Sequence, residues 1–258
     1  MILLKNGMVL PVVTTLQIWM RIHRPNTIIK ADGQFGPKTK EAVKNFQHFH
    51  HLVDDGIVGK NTWHKLTEVT GFQTIDVVDG TDSSLVTLEA NDIRNAGGDP
   101  IVVFGMSNGV DFVMSQILAR ARPGKVALLR IHGHGNRGLQ NVTGGDINGA
   151  PHLAGISNSN FGQIAGSLAQ IKGIFMGYAT VQLLGCSVGG GTAGQTLVTR
   201  LADTWGVPVT AGFFDQLGGG INTFIFEGPT VSGFPGGGTL ASWSFDRESR
   251  FGNVQMAA

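Results

Sequence analysis

The motif Asp-Gly-x-x-Gly-x-x-Thr occurs twice, 23 residues apart, and it constrains the first quarter of the chain more tightly than any other feature. Asp32-Gly33-Gln34-Phe35-Gly36-Pro37-Lys38-Thr39 realigns with Asp55-Gly56-Ile57-Val58-Gly59-Lys60-Asn61-Thr62. Each copy predicts an Asp-Gly turn, a second glycine where the backbone swings, and a helix that opens near the threonine. Pro37 suits the first turn of such a helix. Pro37–His51 places Val43, Phe46, Gln47 and His50 at three- and four-residue spacings, which makes one half-apolar face. Thr14–Ile22 and Asn61–Val69 predict two more short helices, so residues 1–70 read as a small three-helix bundle.

Composition changes where the repeat ends. Residues 1–70 hold nine lysines and arginines against five acids, whereas the remainder is slightly acidic. Only five of the 39 glycines precede residue 71. Such a shift predicts two domains. Residues 71–98, rich in turn formers, read as a linker, and residues 99–258 as the second domain. With 41% hydrophobic residues the chain has ample core material and is not disordered. A net charge of +1 gives no bulk electrostatic case for nucleic acid. No apolar run approaches the roughly 20 residues of a membrane span. The N-terminus, MILLKNGMVLPVVTT, lacks an ordinary leader, so the expectation is a leader removed or another export route.

The repeat, together with Leu16-Gln17 and Ala42-Val43-Lys44-Asn45-Phe46-Gln47 before its second copy, closely resembles the peptidoglycan-binding-like domain found on many bacterial wall hydrolases. That resemblance covers about Leu4–Leu66. It implies attachment to peptidoglycan, with Asp32, Gly33, Gly36, Asp55, Gly56 and Gly59 as the motif residues. The His48, His50, His51 cluster reads as surface rather than as a metal site, because alternate helical positions point apart.

From Asp99 onward, strand-like and helix-like stretches alternate. Ile101–Phe104, Lys125–Ile131, Ala179–Leu184 and Val207–Thr210 read as strands, and Val110–Arg122, Phe161–Ile171 and Thr192–Trp205 as helices. This order predicts a mostly parallel α/β sheet. In such sheets working residues lie in loops beyond the carboxyl ends of the strands. Two loops fall there: His132-Gly133-His134-Gly135 after the second strand and Gly185-Cys186-Ser187 after the third. Cys186 is the single cysteine, which excludes a disulfide framework and a multi-cysteine zinc cluster. A thiol nucleophile needs a base to hold it as thiolate and donors for the oxyanion, and a histidine loop beside a cysteine loop provides both.

Here the chain resembles the caspase-like cysteine peptidases, on Leu128-Leu129-Arg130-Ile131-His132-Gly133-His134-Gly135 and Val181-Gln182-Leu183-Leu184-Gly185-Cys186. It looks closer still to a bacterial branch of uncharacterised caspase-like domains, in which the Gly-Cys is followed by a glycine-rich turn, a helix and a short strand, as in Gly189–Gly212. The resemblance covers about Ile101–Gly212. It implies His134 as general base, Cys186 as nucleophile, the Gly135 and Cys186 amides as oxyanion hole, and His132 as a supporting residue. It implies no cofactor. The expected fold is thus α plus α/β, a three-helix N-terminal bundle followed by a caspase-like mostly parallel sheet domain. The expected function is a wall-anchored cysteine hydrolase that cleaves peptide or amide bonds, acting in the periplasm, in the wall or as a secreted antibacterial effector. Its partners would be peptidoglycan and a protein or peptide substrate, with an immunity or secretion partner unspecified. The alternatives are a non-catalytic peptidoglycan-binding protein with a degenerate caspase-like domain, and a hydrolase of peptidoglycan stem peptides.

Rival motifs fit less well. Gly105-Met106-Ser107-Asn108-Gly109 matches a nucleophile elbow, but its order of acid and histidine is wrong for that fold. His132, His134 and His152 could ligate zinc, but no further ligand has suitable spacing. The papain-like order, Cys before His, is reversed here. In the tail, Asn222–Asp246 reads as a β-hairpin and Phe251–Ala258 as a frayed end.

Overall fold

A computed structural model describes residues 3–23, 28–81, 83–104, 109–143 and 155–251. The chain divides into two compact units, one formed by residues 1–72 with 238–258 and the other by Gln73–Gly237.

The first unit contains α1 (Pro11–His23), α2 (Pro37–Phe49) and α3 (Lys60–Thr70), close to the three expected helices. Gly36 and Gly59, one from each repeat, are the N-caps of α2 and α3. Both Asp-Gly turns are pinned by a buried glutamine. Gln17 Nε2 donates to Asp32 Oδ1, the Gln34 carbonyl and Thr39 Oγ1, each at 3.0 Å, while Gln17 Oε1 accepts from the Gly33 amide. Gln47 repeats this arrangement with Asp55, Ile57, Thr62 and the Gly56 amide. The motif residues Asp32, Gly33, Asp55 and Gly56 therefore build the turns, satisfying polar groups that burial would otherwise leave unpaired. Leu16, Trp19, Phe35, Val43, Phe46, Trp63 and Leu66 fill the core, with Trp19 and Trp63 tilted at a 5.4 Å centroid separation.

The expected C-terminal hairpin does not form. Residues Leu240–Phe251 are a helix that packs on α1 through Thr14 Oγ1 and Ser244 Oγ at 2.7 Å and an ion pair of Arg21 with Glu248. The alternation in Leu240–Phe245 is outweighed by a reciprocal N-cap. The Ser242 amide donates to Thr239 Oγ1 and the Thr239 amide to Ser242 Oγ, and Asp246 pairs with Arg250 one turn on.

The second unit is built around a sheet. In chain order it comprises β1 (Gln73–Asp79), α4 (Ser83–Leu85), a π-helical turn (Val86–Ala90), α5 (Asn91–Asn95), β2 (Ile101–Val103), α6 (Gly109–Arg120), β3 (Val126–His132), β4 (Gly135–Asn136), β5 (Leu139–Asn141), β6 (Gly155–Ser157), α7 (Phe161–Ala169), β7 (Phe175–Leu183), α8 (Gly191–Trp205), β8 (Val209–Gly212) and β9 (Thr230–Gly233). The six-stranded sheet has the order β2-β1-β3-β7-β8-β9 and is parallel except for β9, which pairs antiparallel with β8. Strands β4, β5 and β6 form a small antiparallel sheet.

Two expectations are corrected here. The segment read as a linker, 71–98, contributes β1, a central strand, and the helical turns that follow it. The two aspartates of β1 interrupt its apolar run in the sequence, yet Asp76 and Asp79 are both buried. Asp76 pairs in register with Arg130 of β3, and this neutralisation becomes visible only once the strands are paired. The second is β9, which lies inside the stretch Asn222–Asp246 read as a hairpin and pairs with β8 instead. Strands β2 and β3 and helices α6, α7 and α8 fall within a few residues of their expected places, β7 begins earlier and β8 slightly later, and the small β4-β5-β6 sheet is not among the expected elements.

Candidate active site

The carboxyl edge of the parallel strands carries the site. β3 ends at His132 and its chain turns through Gly133 and His134 into β4, while the adjacent β7 runs through Leu184 and Gly185 to Cys186. The Leu184 amide donates to the Ile131 carbonyl at 2.8 Å, which prolongs the pairing beyond the end of β7. Buried Gln140 then couples the two loops. Its Oε1 accepts from the Gly185 amide at 2.9 Å, and its Nε2 donates to the Asn141 carbonyl, while the Asn141 amide donates to the His134 carbonyl.

The loops meet backbone to backbone. A Cβ on Gly135 would lie 2.9 Å from the Cys186 carbonyl oxygen and 2.6 Å from Val188 Cγ2, and one on Gly185 would lie 3.0 Å from Gly135 Cα. No larger residue fits at either position without moving main chain, which explains why glycine stands at both. His134 is exposed and Cys186 is half-buried. The Cys186 thiol donates to the Gln216 carbonyl at 3.2 Å. Ser187, which follows it, has a left-handed backbone with φ of 55°. Of the residues expected in the site, Gly135 and Cys186 are brought into contact and His134 lies on the same loop as Gly135. Ser107 and His152 fall outside the described residues.

His132 points elsewhere, into a buried cluster of charge. Its Nε2 lies 3.4 Å from Asp76 Oδ1 and its Nδ1 3.4 Å from Glu89 Oε2. Arg130 Nε donates to the same Asp76 oxygen at 2.5 Å, and its guanidinium faces the Phe224 ring at 5.5 Å. All four ionisable groups are at least 95% buried. Burial pulls the Arg130 pKa down to about 9. For His132 burial works in the same direction, but the neighbouring carboxylates of Asp76 and Glu89 overcome it and raise its pKa above 6.5. Asp79, at the end of β1, accepts from the Thr81 amide and hydroxyl and lies against Gly133. The sequence reading missed Asp76, Asp79, Glu89 and Gln140. The available signal was a pair of carboxylates inside the apolar run Ile75–Asp79, opposite a strand carrying an arginine and a histidine.

The raised His132 pKa has a consequence for stability. A base whose folded pKa exceeds its unfolded value adds stability that is fully present below about pH 6.5 and is lost as pH rises through the folded pKa. Guanidinium unfolding of the wild type should therefore show a stability component that declines above pH 6.5, and His132→Asn should flatten it. An unchanged slope in the variant would assign the pH dependence to other groups.

Residues 90–219, half of the chain, match the domain of unknown function DUF4347. The chain belongs to the DUF4347 family. The family match spans both loops of the site and most of the large sheet of this DUF4347 domain. Residues 11–66 match the peptidoglycan binding domain family, so the helical unit is a peptidoglycan-binding domain. Among curated proteins, the chain is 50% identical over 38 residues to the zinc D-Ala-D-Ala carboxypeptidase of Streptomyces albus G, covering 15% of each chain. It is 60% identical over 35 residues to an uncharacterized protein from the bpoA1 3' region of Kitasatospora aureofaciens, covering 14% of this chain and 30% of the relative. The DUF4347 chain thus spans less than a third of the length of either curated relative.

Two solved structures are similar. One is a peptidoglycan-binding protein from Clostridioides difficile in complex with glutamine hydroxamate, 34% identical, covering 26% of this chain and 42% of that one at a TM-score of 0.25. The other is a fused Zn-dependent amidase/peptidase/peptidoglycan-binding domain-containing protein from Clostridium acetobutylicum ATCC 824, 27% identical, covering 38% and 45% at a TM-score of 0.24. Among the described residues, no helix is long and apolar enough to cross a membrane.

Proposed function

We propose that the DUF4347 domain is a caspase-like cysteine hydrolase, attached to the bacterial wall through its peptidoglycan-binding domain. The observation that carries this reading is the placement of the His134 and Cys186 loops at the ends of adjacent parallel strands, with Gly135 packed against the Gly185-Cys186 backbone. The order His-Gly then Gly-Cys is the order of the family that the sequence resembles.

In the proposed reaction, His134 takes the proton of the Cys186 thiol and the thiolate attacks the carbonyl carbon of a peptide or amide bond. The amides of Gly135 and Cys186 stabilise the oxyanion. Collapse of the tetrahedral intermediate expels the amine, which takes its proton from His134, and leaves an acyl thioester on Cys186. Water, deprotonated by His134, then hydrolyses the thioester and restores the thiol. The amide bond lies either in a protein or in a peptidoglycan stem peptide. The name of one relative, a D-Ala-D-Ala carboxypeptidase, makes the stem peptide the second reading.

The test uses the full chain on purified sacculi mixed with denatured envelope protein, with products read by mass spectrometry and Cys186→Ala as control. New protein termini that vanish in the variant are expected. Released muropeptides would move the substrate to the stem peptide. Identical products from both chains would overturn the cysteine mechanism, and no products with retained sedimentation would leave a binding protein.

A further inference from the structure

Residues 213–217 cross the Cys186 loop and are tied to it at three points. The Cys186 thiol donates to the Gln216 carbonyl at 3.2 Å, the Ser187 amide to the Phe214 carbonyl at 3.0 Å, and the Ser187 hydroxyl to Asp215 Oδ1 at 2.7 Å. The segment is braced in turn by Glu227. Its Oε1 accepts from the Leu217 and Gly218 amides at 2.7 and 3.1 Å, and its amide donates to Gln216 Oε1 at 2.9 Å.

Apolar burial contributes little to this arrangement. Phe214 and Leu217 are 57% and 81% exposed, and Phe213 is exposed as well. The segment is therefore held mainly by polar contacts, each of which exchanges for water at small net cost. Its far end is Gly218-Gly219-Gly220, all with φ between 59° and 78°. Three successive glycines in the left-handed region form a joint that can change conformation without side-chain strain. The near end is Gly212, the last residue of β8.

We propose that residues 213–217 are a strap that covers the Cys186 thiol, and that releasing the Asp215 and Glu227 contacts swings it away on Gly218–Gly220. The Gln216 carbonyl that accepts from the thiol occupies ground a substrate must reach to meet the sulfur. The consequence for hydrolysis rests on Cys186 being the nucleophile proposed above, whereas covering of the thiol does not.

Because the chain has one cysteine, alkylation reports on this thiol alone. The native full chain, Asp215→Ala, Glu227→Ala and the double variant are treated with iodoacetamide and followed by intact mass, with the guanidinium-unfolded chain as the open limit. Loss of the two clasps is expected to speed alkylation by about tenfold in the double variant. Each single variant should lie between, so a folding defect in one leaves the other to decide. The strap is overturned if the wild type already reacts like the unfolded chain, or if variants with native circular dichroism react at the wild-type rate. Peptide hydrolysis in the same samples separates the two ideas. Faster alkylation with no hydrolysis in any form keeps the strap and removes the nucleophile. Equal hydrolysis with unchanged alkylation removes the strap and keeps the nucleophile.

Discussion

Asp76→Ala is expected to destabilise the sheet around β1 and β3 by about 3–5 kcal/mol, the cost of removing one partner from a buried ion pair. Arg130 is fully buried, its Nε donates to Asp76, and its Nη1 and Nη2 have no hydrogen-bond partner among the described residues. Without Asp76 the guanidinium keeps the Phe224 ring as compensation, which does not replace a 2.5 Å charge-assisted bond. Against a domain stability of about 5–15 kcal/mol this is a large fraction. Removing both charges together, as Asp76→Leu with Arg130→Met, should recover most of the loss, because apolar pairs of similar volume replace buried ion pairs at little cost. The readout is hydrogen exchange by mass spectrometry on peptides covering Gln73–Asp79 and Val126–His132, which isolates the sheet from the helical unit. A change below about 1 kcal/mol would show that Arg130 is solvated or paired in another way.

The second large effect is on chemistry. His134→Ala is expected to lower peptide hydrolysis by about 10²–10⁴-fold, the usual contribution of a positioned general base. Cys186→Ala should abolish the covalent route, and the double variant should be no worse than Cys186→Ala alone, since residues that act as one unit are not additive. Sedimentation with sacculi should be unaffected in all three, because binding resides in the helical unit. His132→Asn, in contrast, should alter stability and its pH dependence more than it alters the hydrolytic step. If His132→Asn and His134→Ala exchanged these effects, the roles of the two histidines would be reversed.

Much of this was legible in the residues. The doubled Asp-Gly motif predicted α2 and α3 and their order, because an Asp-Gly turn and a glycine N-cap act locally. The two loops at the carboxyl ends of β3 and β7 were legible because these strands are apolar runs that end in glycine-flanked polar residues. What stayed hidden depends on pairing over distance. β1 carries two aspartates whose burial is tolerable only beside Arg130, His132 and Thr81. Gln17 and Gln47 each read as one residue among several of a motif, yet they hold the two turns together. The C-terminal helix was masked by an alternating pattern that a three-residue capping signal, Thr239 to Ser242, overrides. The 213–217 strap has no periodicity at all, and only its contacts reveal it.

The central claim is that an acyl group passes through Cys186. The direct measurement mixes the full chain, and its Glu227→Ala form, with activated peptidyl esters, quenches in acid within milliseconds to minutes, and reads intact mass followed by peptide mapping. A transient acyl adduct on Cys186 is predicted, persisting longer in His134→Ala because deacylation is slowed, and absent from Cys186→Ala. Ester turnover with no adduct on Cys186, or turnover by Cys186→Ala at the wild-type rate, would contradict the account.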